Sequence, residues 1–309
     1  MQSATRLTAA GWRGWLIPAG ALALLSAAAW LLASILGALP RLRRYEATTD
    51  ISYAEGARHK LDVYGPRGGG DAPVIVFFYG GSWQSGEKDM YRFLAATLAA
   101  RGYVVVVPNY RLYPQVNFPD FLTDGAKALR WAHENVAAFR GNAGRIFVMG
   151  HSAGAYIAAM LALDSEWLSS VGLDPNSDIA GLIGVSGPYD FLPLRDPVLQ
   201  IIFGGDNRAA TQPISFAEGC KPPALLLTGG ADSKVDPGNS KRLADELRRS
   251  GNDATELVYP NFGHLTILAT FAPGLAAFFS PLSDIEAFIE RVSSRQPQNV
   301  STQAGLTVP

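Results

Sequence analysis

Cysteine is almost absent from this chain of 309 residues, which contains only Cys220. A single cysteine excludes an internal disulfide framework and a metal site built on cysteine ligands. An excess of either charge is also lacking, since 26 basic and 27 acidic residues leave a formal net charge of −1. This balance gives no electrostatic reason to expect nucleic acid as a partner.

The composition is that of a globular protein with a large core, because 48% of the residues are hydrophobic and 17% are charged. The sequence contains no internal repeat. We predict one catalytic domain over residues 45–292, since α/β folds often reach about 250 residues as a single unit. The polar segment 293–309 is predicted to be a disordered tail.

The N-terminal segment has no charged residue from Trp15 to Pro40, a stretch long enough to span a bilayer as a helix. We predict that residues 1–44 form a membrane anchor. Arginines flank the stretch on both sides, so the side of the membrane is left open. A cleaved signal peptide is an alternative, with an A-x-A site at residues 27–29, and would make the protein secreted or periplasmic. A buried helix of the soluble fold is the third possibility for this segment.

Apolar segments alternate with helical patterns after a predicted hairpin over residues 51–64. This alternation predicts an α/β fold, with a mostly parallel central sheet and helices on both faces. Ligand sites in such sheets lie at the carboxyl ends of the strands. The predicted strands are 74–79, 104–107, 145–149, 179–185, 224–228 and 256–259, and the predicted helices are 88–101, 120–139, 155–163, 238–250 and 282–292.

The pentapeptide Gly150-His151-Ser152-Ala153-Gly154 has the form G-x-S-x-G. It joins the predicted strand 145–149 to the Ala/Leu-rich segment 155–163, and strand, sharp turn and helix are the context of a nucleophile elbow. A side chain at either glycine would strike the neighbouring strand or helix, while the serine takes a strained backbone conformation. We predict Ser152 as the nucleophile, at a helix start whose N–H groups favour a developing anion.

A serine hydroxyl needs a general base, and the base needs an orienting carboxylate. With a nucleophile elbow the chain order is serine, acid, histidine. Of the four histidines, His59 and His133 precede Ser152 and His151 is its neighbour. Only His264 follows, so we predict it as the base.

The acid is less strictly determined. Asp232 lies just beyond the predicted strand 224–228, where this topology places the acid, and is our prediction. Asp236 is more typical of a cap on the next helix. Asp190, after the preceding strand, remains an alternative.

Acyl transfer also needs hydrogen-bond donors for the oxyanion. Tyr79-Gly80-Gly81-Ser82-Trp83 follows a buried strand, and its two glycines allow the backbone to approach a substrate closely. We predict the N–H groups of Gly80, Gly81 and Ala153 as the oxyanion hole. The Pro-rich segments 110–119 and 187–213 are candidates for a lid or substrate pocket, or are ordinary connecting loops.

Residues 45–292 resemble the α/β-hydrolase superfamily, in its carboxylesterase/lipase branch with an HGG-type oxyanion loop. The nearest resemblance is to feruloyl-esterase-like and isoprenylcysteine methylesterase-like proteins. One departure is Tyr79, which stands where the family has histidine. The resemblance rests on residues 79–83, 107–112, 150–154, the Asp232 loop and Gly263-His264.

The resemblance implies a serine carboxylesterase that hydrolyses a small-molecule ester, lipophilic or aromatic, through an acyl-enzyme on Ser152. It implies no metal and no cofactor. Three other functions stay open: an arylformamidase-like amide hydrolase, an acyltransferase with an alcohol acceptor, and a catalytically silent binding module. An intact set of Ser152, Asp232 and His264 argues against the binding module.

Overall fold

The computed structural model describes residues 45–273 and 279–295. The predicted membrane anchor, residues 1–44, lies outside this range, as do residues 296–309 of the predicted tail. No helix within the described ranges has the length and apolarity to span a membrane.

An eight-stranded sheet runs through the domain in the order β1-β2-β4-β3-β5-β6-β7-β8. The pairs β1/β2 and β2/β4 are antiparallel, and the pairs from β4/β3 to β7/β8 are parallel. The predicted mostly parallel sheet is therefore confirmed. The strands are Tyr45–Ser52 (β1), Lys60–Pro66 (β2), Ala72–Phe78 (β3), Val104–Pro108 (β4), Gly141–His151 (β5), Gly181–Val185 (β6), Ala224–Gly229 (β7) and Ala254–Tyr259 (β8).

The helices connect the parallel strands and cover the sheet, as right-handed crossovers require. Within the described residues the α-helices are Arg92–Ala100 (α1), Asp120–Asn135 (α2), Ala153–Leu163 (α3), Ser165–Ser169 (α4), Pro175–Asp178 (α5), Pro197–Phe203 (α6), Gly238–Arg249 (α7), Thr266–Ala269 (α8) and Ser280–Arg295 (α9). Every residue of α3 is buried, since this helix lies against β5 and β6 in the centre of the domain.

The central strands consist of apolar residues because both faces of the sheet are covered. Every residue of β4 and β6 is buried, and β3 is buried over its last five residues. The carboxyl ends of β3, β5, β7 and β8 lie at one edge because these strands are parallel. The segments that follow them contain the predicted site residues.

Three predicted helices differ at their ends from the observed ones. The segment predicted as a helix over 88–101 begins with a 3₁₀ turn, Lys88–Tyr91. The helix predicted over 120–139 changes to a 3₁₀ turn after Asn135 and stops before Arg140, whose φ of 68° is left-handed. At the C-terminus, α9 includes residues 293–295 of the predicted tail, because Arg295 binds the Asp253 carboxylate at 2.7 Å.

The segment 187–213, predicted to be irregular, contains helix α6. Asp196 caps the helix by accepting the Val198 N–H at 2.8 Å, and Pro197 occupies the first turn. Gly204 ends it with a left-handed φ of 68°. These are ordinary start and stop signals of a helix, although the segment as a whole is rich in proline.

We expect Asp196→Ala to lower the free energy of unfolding by about 0.5–2 kcal/mol, because the exposed first turn of α6 loses its side-chain acceptor. Asp196→Asn is the matched control, since asparagine caps helices about as well as aspartate. Urea unfolding of both variants measures the difference. An alanine variant as stable as the asparagine variant would contradict the capping role.

Candidate active site

Ser152 lies between the end of β5 and the first residue of α3. Its backbone has φ 55° and ψ −123°, a conformation rarely adopted by residues other than glycine. The Ser152 N–H donates to the Val185 carbonyl at 2.9 Å, which ties the turn to the neighbouring strand β6. Such strain persists only where the surroundings fix it, and it is common at functional sites.

The two glycines of the pentapeptide are required by contact. A Cβ on Gly150 would lie 2.2 Å from the Gly154 carbonyl oxygen. A Cβ on Gly154 would lie 2.0 Å from the carbonyl oxygen of Phe78, the last residue of β3. Both distances are far below van der Waals contact, so the elbow closes only with glycine at these positions.

His264 lies in the loop between β8 and α8 and contacts two other predicted residues. Its Nε2 is 2.9 Å from the Ser152 Oγ, and its Nδ1 is 2.8 Å from the Asp232 Oδ2. The two loops are joined by the Ala231 N–H, which donates to the Phe262 carbonyl at 3.0 Å. The structure thus brings the predicted nucleophile, base and acid into one hydrogen-bonded chain.

The Asp232 carboxylate is buried and has all the partners of an ionised group. Its Oδ1 accepts the backbone N–H groups of Lys234 and Val235, each at 2.9 Å. Burial alone would raise the pKa of Asp232, but these bonds and the His264 bond outweigh it and hold the pKa below 3.8. The group therefore stays anionic and can orient the imidazole.

The two alternative acids lie elsewhere. Asp190 accepts a hydrogen bond from the Arg242 Nε at 2.5 Å. Asp236 accepts one from the Arg242 Nη1 at 3.1 Å and one from the Gly238 N–H at 3.0 Å, at the start of α7. Both carboxylates thus bind Arg242. Asp236 lies one residue before the cap position of α7, which is Pro237, and accepts the N–H of the first helical residue.

His151, which sequence reasoning assigned no role, supports the base. Its Nε2–H donates to the main-chain carbonyl of His264 at 2.9 Å, because a carbonyl oxygen can only accept. Burial lowers the pKa of His151 to about 4, and the nearby His264 ring adds to the shift. A neutral histidine therefore holds the loop that carries His264, the predicted base.

The loop after β3 lies directly against the elbow. A Cβ on Gly80 would lie 2.9 Å from the Ser152 Cβ, and one on Gly81 would lie 2.0 Å from the Ser85 carbonyl oxygen. Gly81, Ser82 and Trp83 have φ values of 134°, 53° and 58°. Three successive positive φ angles turn the chain sharply, and they bring its backbone to the nucleophile.

The predicted oxyanion donors lie on the loop after β3 and at the start of α3. Gly80 and Gly81 follow the last residue of β3, beside the elbow. Ala153 is the first residue of α3, where an N–H has no acceptor within the helix. Gly80, Gly81 and Ala153 stay the predicted donors of an oxyanion site.

Aromatic rings fill the space behind this loop. The Trp83 ring meets the Tyr156 ring edge-on at 5.1 Å and the Phe203 ring at 4.9 Å, and it stacks on Phe191 at 6.2 Å. Tyr156 lies one turn after Ser152 in α3, while Phe203 and Phe191 come from the segment 187–213. This segment therefore forms part of the aromatic wall beside the site.

Comparison with known proteins agrees with this arrangement. The BD-FAE family model matches residues 61–247, more than half of the chain. Isoprenylcysteine alpha-carbonyl methylesterase ICME of Arabidopsis thaliana is 30% identical over 236 residues, covering 69% of this chain and 55% of that protein. Kynurenine formamidase of Danio rerio is 34% identical over 146 residues, which is 47% of either chain. The chain thus spans about half the length of these relatives.

Solved structures share the fold. A truncated carbohydrate esterase from gut microbiota superposes with a TM-score of 0.72 and 22% identity, covering 83% of this chain and 99% of that one. This likeness confirms the predicted α/β-hydrolase fold. The resemblance first seen in the elbow and the oxyanion loop is also confirmed, since the chain belongs to the BD-FAE family of α/β-hydrolase esterases.

Proposed function

We propose that this protein hydrolyses carboxylic esters through an acyl-enzyme on Ser152. The observation that carries the proposal is the continuous hydrogen-bonded chain from the Ser152 Oγ through both nitrogens of His264 to Asp232, with bonds of 2.9 and 2.8 Å. This chain supplies a nucleophile, a base and an orienting carboxylate in bonding distance without further movement.

Acylation uses each of these contacts. The Ser152 Oγ attacks the ester carbonyl while its proton moves to the His264 Nε2. The Asp232 carboxylate stabilises the resulting imidazolium through the Nδ1–H. The carbonyl oxygen becomes an anion, which the N–H groups of Gly80, Gly81 and Ala153 stabilise at the elbow.

The tetrahedral intermediate then collapses. His264 returns its proton to the leaving alcohol oxygen, and the carbon–oxygen bond of the ester breaks. Water takes the place of the alcohol, gives a proton to His264 and attacks the acyl carbon. Release of the acid restores the Ser152 hydroxyl, so the cycle consumes one water and needs no other reactant.

The preferred substrate class is a small-molecule ester, since a methylesterase is among the relatives. Formamides are the second candidate, because kynurenine formamidase is 34% identical over its matched part. Both substrate classes form a tetrahedral oxyanion. They differ in the leaving group, which is an alcohol for an ester and an amine for a formamide. Parallel rates with p-nitrophenyl acetate, p-nitrophenyl butyrate and N-formylkynurenine separate the two functions.

Removing the nucleophile tests the proposal directly. We expect Ser152→Ala to lower kcat on p-nitrophenyl acetate by about 10⁴-fold or more, since no acyl-enzyme can form. Labelling by a fluorophosphonate probe should disappear with it. A folded wild-type chain that neither hydrolyses these esters nor takes the label would contradict the proposed function.

The three candidate acids allow a matched comparison. We expect Asp232→Asn to lower kcat by about 10⁴-fold, because the amide leaves His264 without its anionic partner. Asp190→Asn and Asp236→Asn should keep kcat within a few-fold, since these carboxylates bind Arg242 instead. Steady-state kinetics of the three variants decides the assignment. Equal losses of kcat in all three variants would contradict the assignment of Asp232 as the orienting acid.

Stability should fall in mild acid because of His151. The unfolded chain protonates this histidine below its ordinary pKa of 6.5, whereas the folded chain resists protonation down to about 4. Between these values the unfolded state binds more protons, so stability falls as the pH falls. The shift corresponds to about 3 kcal/mol at most. The lowered pKa of Asp232 acts below this window, since its ordinary value is 3.8.

We expect His151→Gln to lose less stability than the wild type between pH 6.5 and pH 4. Glutamine keeps a donor for the His264 carbonyl but binds no proton. Urea unfolding across this range measures the change, with His133→Gln as control because His133 lies at the domain surface beside Asp178. Equal pH slopes for wild type and His151→Gln would contradict the burial argument.

A further inference from the structure

Arg58 lies between β1 and β2, far in sequence from the elbow, and its guanidinium contacts the loop beside the nucleophile. The Nη2 donates to the Tyr79 Oη at 2.7 Å and to the Gly86 carbonyl at 2.9 Å. The Nε donates to the Tyr110 carbonyl at 2.8 Å. All three acceptors are neutral oxygens, so the arginine acts here as a set of directed donors.

These acceptors include both ends of the loop that carries Gly80 and Gly81. Tyr79 is the first residue after β3, and Gly86 is where the loop folds back. A Cβ on Gly86 would lie 2.8 Å from the Gly80 carbonyl oxygen and 2.9 Å from the Tyr79 ring. A donor that holds Tyr79 and Gly86 together therefore fixes the backbone on which the oxyanion donor is mounted.

The rest of the loop is held in the same manner. The buried Tyr110 hydroxyl donates to the Tyr79 carbonyl at 2.7 Å, and the Tyr79 hydroxyl donates to the Asn109 Oδ1 at 3.0 Å. The same Asn109 oxygen accepts the Lys88 N–H at 2.8 Å. Tyr79 thus joins Arg58 to Asn109.

Only a guanidinium can serve this arrangement. Its donors lie in one rigid plane and reach three separate acceptors at once, whereas an ammonium is a single point on a flexible stem. The loop needs such support because Gly81, Ser82 and Trp83 all have positive φ angles. Loss of the donors would let this strained backbone relax away from the Ser152 Oγ.

We propose that Arg58 is a positioning residue, which holds the oxyanion loop in its active conformation through Tyr79 and Gly86. This proposal rests on the proposed ester hydrolysis. In this proposal Arg58 does not itself touch the substrate. Its effect passes through the position of the Gly81 N–H, so it should act on the transition state and leave ground-state binding unchanged.

Arg58→Lys tests the proposal in the full-length protein. We expect kcat on p-nitrophenyl acetate to fall about 10- to 100-fold with KM nearly unchanged, since a displacement of about 1 Å at a reacting centre has this effect. Affinity for a trifluoromethyl ketone should fall in parallel, because its serine adduct carries the same oxyanion. Arg101→Lys is the matched control, since Arg101 pairs with Glu286 at 2.9 Å on another face.

Tyr79→Phe provides a second route if Arg58→Lys folds poorly. It removes one acceptor of the guanidinium and should give a smaller loss of kcat, with little added loss in the double variant because both changes break the same tether. Unchanged kcat in both single variants would overturn the proposal. So would a fall in kcat without a fall in ketone affinity. An inactive wild-type chain would instead overturn the proposed ester hydrolysis, and this proposal with it.

Discussion

The close approach of three backbone segments is the constraint on which the site depends. The start of α3 presses on the end of β3 so tightly that Gly154 has no room for a side chain beside the Phe78 carbonyl. A Cβ on Gly80 would lie 2.9 Å from the Ser152 Cβ, which is also too close. Ser152 and the loop after β3 are therefore placed by close contact of the backbone, which leaves their relative position little freedom. Side-chain hydrogen bonds, such as that between His264 and Ser152, then complete the site.

His264 and Asp232, the predicted base and acid, reach this point from the other half of the sheet. Their loops follow β7 and β8, and they are joined to each other by main-chain hydrogen bonds such as that from Ala231 to Phe262. His151 joins the His264 loop to the elbow, so Ser152 and His264 share a direct structural link. The sheet provides the common platform because its parallel strands all end at this edge.

The sequence pattern predicts those parts of the site whose residue types are set by neighbouring residues or by their order in the chain. The elbow needs its two glycines, and the chain order leaves His264 as the one candidate base, so both followed from residue types alone. Helix α6 was missed, although Asp196 and Gly204 mark its ends. The contacts of Arg58 could not be predicted at all, because they join segments that are distant in sequence and form only once β1, β2 and β4 have paired.

The hairpin of β1 and β2 bears on where a fragment of this protein can begin and still contain the site. The family match begins at residue 61 and ends at residue 247. A fragment with those ends would keep the elbow and Asp232, yet it would lack Arg58 at one end and His264 at the other. Sequence similarity thus outlines the part of the domain that is easiest to align. A unit that contains every residue of the candidate site is wider, and it includes the first hairpin and the loop beyond the last strand.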